Sequence, residues 1–215
     1  MYKLCAFDLD GTLVDTIGDL AASLNYALEK NGLPVRTVQE VSRLVGHSVS
    51  YMCYMAVPEE VREARWQQVY ADCDAHYALH CCDHSRPYEG VLRTVSRLKA
   101  AGVTLAVVTN KPHKHAMHVV NELFPRDTFS IILGMMKKFE KKPAAEPLNF
   151  VLDYLGVAPQ DAVYVGDSEV DVEFARNAGL PCVSVTWGLR PRSELIAAGA
   201  TCLIDDPEEL LEIVL

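Results

Sequence analysis

Tyr2-Lys3-Leu4-Cys5-Ala6-Phe7-Asp8-Leu9-Asp10-Gly11-Thr12 is an apolar run that stops at two carboxylates, a glycine and a hydroxyl. Residues Tyr2 to Phe7 read as a strand and Asp8 to Thr12 as the polar turn at its carboxyl end. Asp-x-Asp-Gly by itself is an ordinary turn signal. Two carboxylates spaced two apart at a strand end can also project to one side. One can then attack while its neighbour handles protons. The rest of the chain chooses between these readings.

Outward from this passage, Ile17, Leu20, Ala21, Leu24, Ala27 and Leu28 recur at helical spacing. Thr16 is the expected N-cap, with Asp19 completing a capping-box-like signal and Asn31-Gly32 supplying a left-handed stop. From Thr37 to Cys82 only helical patterns occur, with a second capping box at Thr37 and Glu40 and a stripe of Val69, Cys73, Tyr77 and His80. Beyond Pro87-Tyr88-Glu89-Gly90 a helix bearing Val91, Leu92, Val95 and Leu98 stops at Gly102. A β-branched run, Val103 to Val108, follows. Further strands are expected at Ser130 to Leu133, Ala162 to Val165, Cys182 to Thr186 and Thr201 to Ile204, with helices between them such as that carrying Leu148, Val151, Leu152 and Leu155. Alternation of this kind predicts a parallel sheet covered on both faces, a Rossmann-like three-layer α/β/α core. Residues 1–15 and 85–215 would form that core, and residues 16–84 an all-helical cap inserted into it.

In such sheets chemistry gathers beyond the carboxyl ends of the strands. Asp8 and Asp10 follow the first strand, Thr109 and Asn110 follow Val103 to Val108, and Gly166-Asp167-Ser168 with Asp171 follow Ala162 to Val165. Four crowded carboxylates repel one another unless a divalent cation and a proton compensate, and hard oxygen ligands suit magnesium. A formal charge of -9 excludes general affinity for nucleic acid, which needs clustered Lys and Arg. No apolar run approaches the roughly 20 residues that span a bilayer, and the seven cysteines form no C-x-x-C pair. Reduced thiols, no membrane and a cytoplasmic location are expected.

With these strand ends assembled, the chain resembles the haloacid dehalogenase-like hydrolase superfamily, near its phosphoglycolate phosphatase-like branch with a helical cap. Asp8-Leu9-Asp10-Gly11-Thr12-Leu13-Val14-Asp15-Thr16 is similar to its first motif, Thr109-Asn110 to its second, Lys142-Pro143 to its third and Gly166-Asp167-Ser168-x-x-Asp171 to its fourth. Ala145 departs from the pattern, since relatives often carry proline there. By resemblance Asp8 is the nucleophile, and Asp10 protonates the leaving oxygen and then activates water. Thr109, Lys142 and the backbone amides of Leu9 and Asn110 bind the phosphoryl group. Asp8, Asp167 and the Asp10 carbonyl would hold Mg2+, with Asp171 supporting it directly or through water. Among Lys137, Lys138, Lys141 and Lys142, position next to Pro143 selects Lys142. Arg43 and His47 are the cap residues that the resemblance offers for specificity.

The expected partner is a small phosphorylated metabolite, 2-phosphoglycolate first, and the expected assembly a monomer or homodimer. Alternatives are a phosphosugar mutase of the β-phosphoglucomutase kind, a pyrophosphatase, a sugar-phosphate phosphatase and, last, a non-catalytic binding protein on the same fold. A dehalogenase fits poorly, because Asp10 would have no proton to give a departing halide. His76, His80 and His84 repeat every four residues beside Cys81 and Cys82, a spacing that could mimic a transition-metal site on one helix face. His113, His115 and His118 read instead as polar positions on the helix after Asn110.

Overall fold

A computed structural model describes all residues from Met1 to Leu215. In chain order the elements are β1 (Leu4–Phe7), β2 (Val14–Asp15), α1 (Ile17–Lys30), α2 (Val38–Leu44), α3 (Val49–Ala56), α4 (Arg62–His80), β3 (Arg86–Pro87), α5 (Val91–Ala100), β4 (Thr104–Pro112), α6 (His113–Leu123), β5 (Ile131–Met135), α7 (Glu146–Leu155), β6 (Ala162–Gly166), α8 (Glu169–Asn177), β7 (Cys182–Val185), α9 (Arg192–Ala197), β8 (Cys202–Ile204) and α10 (Glu209–Val214). Six strands form one parallel sheet in the order β5-β4-β1-β6-β7-β8. The α/β class, the parallel sheet and its flanking helices are as the alternating pattern predicts.

Every residue of β1 is buried, because the strand is central and covered on both sides. Leu4 and Ala6 pack into one apolar layer with Leu148, Val151 and Leu152 of α7 and Phe174 of α8. Cys5 and Phe7 point to the other layer, with Val95 and Leu98 of α5, Val119 of α6 and Leu211 of α10. Two-residue periodicity along one strand thus builds both halves of a three-layer core.

Helices α1 to α4 lie between β2 and β3, and those two short strands pair antiparallel, Val14 with Pro87 and Asp15 with Arg86. Both passages of the chain between core and helices are therefore held side by side. The helices extend the Cys5 and Phe7 layer, with Leu24 and Leu28 of α1, Met52 and Cys53 of α3 and Val69, Cys73 and Tyr77 of α4 buried in the same apolar cluster.

Local details differ from the sequence reading. β1 begins at Leu4, since the Tyr2 and Lys3 amides leave the ladder for the carbonyls of Val214 and Asp161. Thr37 and Glu40 do form a capping box, whereas Thr16 and Asp19 do not. Thr16 flanks α1 without a capping hydrogen bond and gives its hydroxyl to Asp10 Oδ1 at 2.7 Å. Asp19 instead accepts the amides of His84 and Ser85 and the Ser85 hydroxyl at 2.6 to 3.1 Å. A capping signature was here satisfied by partners remote in sequence, which joins the start of α1 to the far end of the helical segment. His84 lies beyond the end of α4, so only His76 and His80 stack, with ring centroids 4.3 Å apart.

Candidate active site

β1 lies between β4 and β6, and Thr109 and Asn110, expected beyond the strand, instead lie within β4 where its pairing with β5 becomes irregular after Val108. The loop after β1 turns back at once: Gly11 adopts φ +83, and its amide donates to the Val14 carbonyl at 2.9 Å. A Cβ at Gly11 would stand 2.3 Å from an Asp167 carboxylate oxygen, and one at Gly188 would meet Asp167 Cβ at 2.3 Å. Glycine at both positions leaves the space into which Asp167 fits.

Asp8, Asp167 and Asp171 are all buried, and one carboxylate oxygen from each falls within 4.8 Å of the others. Lys142 Nζ reaches into this group, 2.7 Å from Asp171 Oδ1 and 3.0 Å from Asp8 Oδ1. Its N–H groups are aimed at Asp171 and at the Tyr164 hydroxyl. Asp8 Oδ1 faces this shared cation and has no other donor of its own. Burial drives the Asp8 carboxyl up to about 6, with Lys142 opposing and Asp171 adding to the rise. Burial likewise carries Asp167 to about 8, with Asp171 and Asp8 contributing. Burial disfavours the Lys142 ammonium, but Asp171 and Asp8 outweigh it and its pKa rises. One lysine cannot neutralise three buried carboxylates, and the Asp8 oxygen that depends on that shared lysine alone marks the unmet demand. A small hard divalent cation satisfies both, so the residues present fit one.

The four carboxylates differ in what already engages them. Asp171 accepts the Asp167 and Ser168 amides and the Ser168 hydroxyl through Oδ2, and Lys142 and Tyr164 through Oδ1. Asp167 accepts the Thr12 hydroxyl at 3.0 Å and the Leu189 amide at 2.8 Å. Asp10 points the other way, toward the helical insertion, where Oδ1 accepts from Thr16 and from Lys111 Nζ at 2.7 Å. Lys111 is fully buried along its side chain and also donates to the Tyr77 hydroxyl at 2.7 Å.

A small open cleft lies between this edge of the sheet and the insertion, lined on the core side by Asp8, Asp10, Thr109, Asn110 and Lys111. Leu20, Val45, Gly46, Ser48, Val49 and Met52 line it from the insertion. Arg43 and His47 are not among its walls. The Arg43 side chain is exposed, and the His47 ring packs on Tyr51 at 4.7 Å. Asn110 uses its side chain structurally, donating to the Gly46 and Lys142 carbonyls and accepting the Lys142 amide. Leu9 is wholly buried.

Four residues have contacts that the sequence reading does not assign. Lys111 and Tyr77 are joined only by folding, although a lysine directly after Thr109-Asn110 was a visible hint. Thr12 holds Asp167 across the site. Arg190, buried at the core edge, donates to the carbonyls of Ser42, Arg43 and Val45 and pairs with Glu169 at 3.0 Å. Nothing in a lone arginine announces such a contact.

The family model described as haloacid dehalogenase-like hydrolase matches residues 5–185. A phosphoglycolate phosphatase of Chromobacterium violaceum is 36% identical over 217 residues, covering 99% of this chain and 96% of that protein. Another from Agrobacterium fabrum is 37% identical over 192 residues, covering 87% and 82%. The crystal structure of a predicted phosphoglycolate phosphatase from Haemophilus somnus superposes with a TM-score of 0.93 at 32% identity, covering 100% of this chain and 98% of that one. The chain belongs to the haloacid dehalogenase-like hydrolase family.

Proposed function

We propose that this enzyme is a Mg2+-dependent phosphatase that hydrolyses a small phosphomonoester, 2-phosphoglycolate first, through an aspartyl-phosphate on Asp8. The observation that carries the reading is Asp8 itself: buried, with the Lys142 ammonium 3.0 Å from Oδ1 and two further buried carboxylates beside it, in the lining of a small cleft. The relatives named phosphoglycolate phosphatase support the substrate.

An Asp8 oxygen attacks phosphorus, and the bond to the substrate oxygen breaks as Asp10 delivers a proton to it. Water, deprotonated by Asp10, then attacks the phosphorus of the acyl phosphate and releases inorganic phosphate with Asp8 restored. Lys142, Thr109 and the backbone amides of Leu9 and Asn110 hold the phosphoryl oxygens, so positioning and charge compensation dominate the catalysis. Asp8, Asp167 and the Asp10 carbonyl, with Asp171 behind them, would hold Mg2+, which supplies charge neutralisation for Asp8 and the phosphoryl group. Thr12 and Leu189 keep Asp167 in place, and Lys111 with Thr16 orients Asp10.

The helical insertion acts as a cap that closes water out of the cleft. Its α3 starts at Ser48 and Val49 on the cleft wall, and a helix N-terminus favours a second negative group such as the carboxylate of phosphoglycolate. Purified protein with Mg2+ should release phosphate from 2-phosphoglycolate faster than from other members of a panel that includes pyrophosphate, sugar phosphates and β-glucose 1-phosphate. Preference for another ester would move the substrate. No release from any of them would end the phosphatase reading, and glucose 6-phosphate formed faster than phosphate would make the enzyme a mutase.

A further inference from the structure

α4 ends at His80, and the two residues after it are Cys81 and Cys82, with sulfur atoms 3.9 Å apart. Across from them, core helix α6 presents His118. One ligand atom from each of the three residues lies within 4.8 Å of the others. With metal–sulfur bonds of about 2.3 Å, a tetrahedral site separates two sulfurs by about 3.8 Å, so the present spacing needs almost no adjustment. Cys81 is buried, Cys82 half-buried and His118 exposed, which lets the imidazole turn to meet a metal held by the thiols. Water can complete four-coordination.

The surroundings hold this geometry. Asp74 of α4 accepts from Lys114 and His115 of α6 at 2.6 and 2.7 Å, and the rings of Tyr77 and His115 meet edge to face with centroids 5.1 Å apart. The cysteines and His118 continue the same seam by one more turn. The sequence draws attention to Cys81 and Cys82 beside the histidines of α4, but His84 falls outside that helix and the imidazole that folding brings to them belongs to α6.

We propose that Cys81, Cys82 and His118 form a binding site for a thiophilic divalent metal of the zinc class, separate from the carboxylate site and joining the exit of the helical insertion to the core. Two sulfurs and an imidazole favour zinc, cobalt or cadmium over the hard cations that suit the aspartates. The site lies where the chain passes from the insertion back to the core, just before β3. Cys81 also follows Tyr77 by one turn, and Tyr77 is tied through Lys111 to Asp10. A metal at this point therefore restrains the segment that orients the proposed acid–base residue.

The test uses the full chain, reduced and stripped of metal, with excess Mg2+ present to fill the carboxylate site while Co2+ or Cd2+ is added. Thiolate-to-metal charge-transfer absorption should grow to saturation at a single equivalent. Cys82→Ser and His118→Ala should each weaken that binding by roughly tenfold or more, as loss of a ligand must cost at least what loss of a supporting contact does. Cys202→Ser, remote from the seam, should leave it unchanged. Because Cys81 is buried, the more accessible Cys82 and His118 carry the test, and unchanged melting of the metal-free variants establishes their fold. No charge-transfer band in the wild type, or a band that persists in both variants, would overturn the site. This absorption does not depend on turnover, so its absence and failure of the phosphatase reading are separate results.

Discussion

Asp8 and Asp10 stand two residues apart and meet opposite surroundings. Asp8 lies among buried carboxylates with a lysine beside it, where burial keeps its carboxyl near 6, whereas Asp10 is held by Lys111 and Thr16 at 2.7 Å. Different environments suit the two residues to different tasks. Asp8→Asn should abolish phosphate release while leaving the circular-dichroism spectrum unchanged. Asp10→Asn should lower kcat by about 10² to 10⁴, the ordinary contribution of a positioned acid–base group. Normal turnover in either variant removes the assigned role. Lys111→Met strands Asp10 and deprives the Tyr77 hydroxyl of its donor. Loss of one partner from a buried ion pair costs about 3–5 kcal/mol, and a denaturant melt should show a destabilisation of that order.

At the scale of elements, core and insertion share one apolar cluster, and a few polar points fix their relation further. Asp19 gathers the amides of His84 and Ser85, so the start of α1 is tied to the segment before β3. Arg190, following β7, holds three carbonyls at the end of α2, next to the Val45 and Gly46 wall of the cleft. Arg190→Ala should leave the aspartates in place but loosen that wall. The expected result is a KM higher by about tenfold, the worth of about one charge-assisted hydrogen bond, with kcat altered less. Steady-state kinetics decides the point: a fall in kcat at unchanged KM would place Arg190 in chemistry instead of closure.

For the molecule as a whole, the same carboxylates that serve the proposed chemistry weaken the fold when uncompensated. As pH rises above 3.8 the unfolded chain's carboxyls ionise, but folded Asp8 holds its proton to about 6 and folded Asp167 to about 8. Metal-free protein therefore loses stability progressively across that window and levels off above it. A bound divalent cation removes the penalty, but below about 8 it must displace protons to enter. Mg2+ should consequently raise the melting temperature more at pH 8 than at pH 5, measured against protein in chelator. Equal increments at both pH values would contradict this account. No helix is long and apolar enough to cross a membrane.

Amino-acid order alone determined the alternating core, the helical block between its first two main strands and the polar residues at three strand ends. Those features are written in local periodicity and in the residue that ends each strand. It also singled out Lys142, Asp167 and Asp171 before any of them could be seen to meet. Tertiary structure decided what local patterns cannot carry. Thr16 and Asp19 resembled a capping pair, yet Thr16 bonds Asp10 and Asp19 bonds Ser85. Arg43 and His47 stand at the predicted loop, yet Gly46 and Ser48 line the cleft. Lys111 met Tyr77, and Cys81 and Cys82 met His118, across gaps in sequence that no spacing records. Hydrogen-bond and ion-pair partners are selected by distance in space, and only closure of the sheet with the insertion folded against it sets those distances.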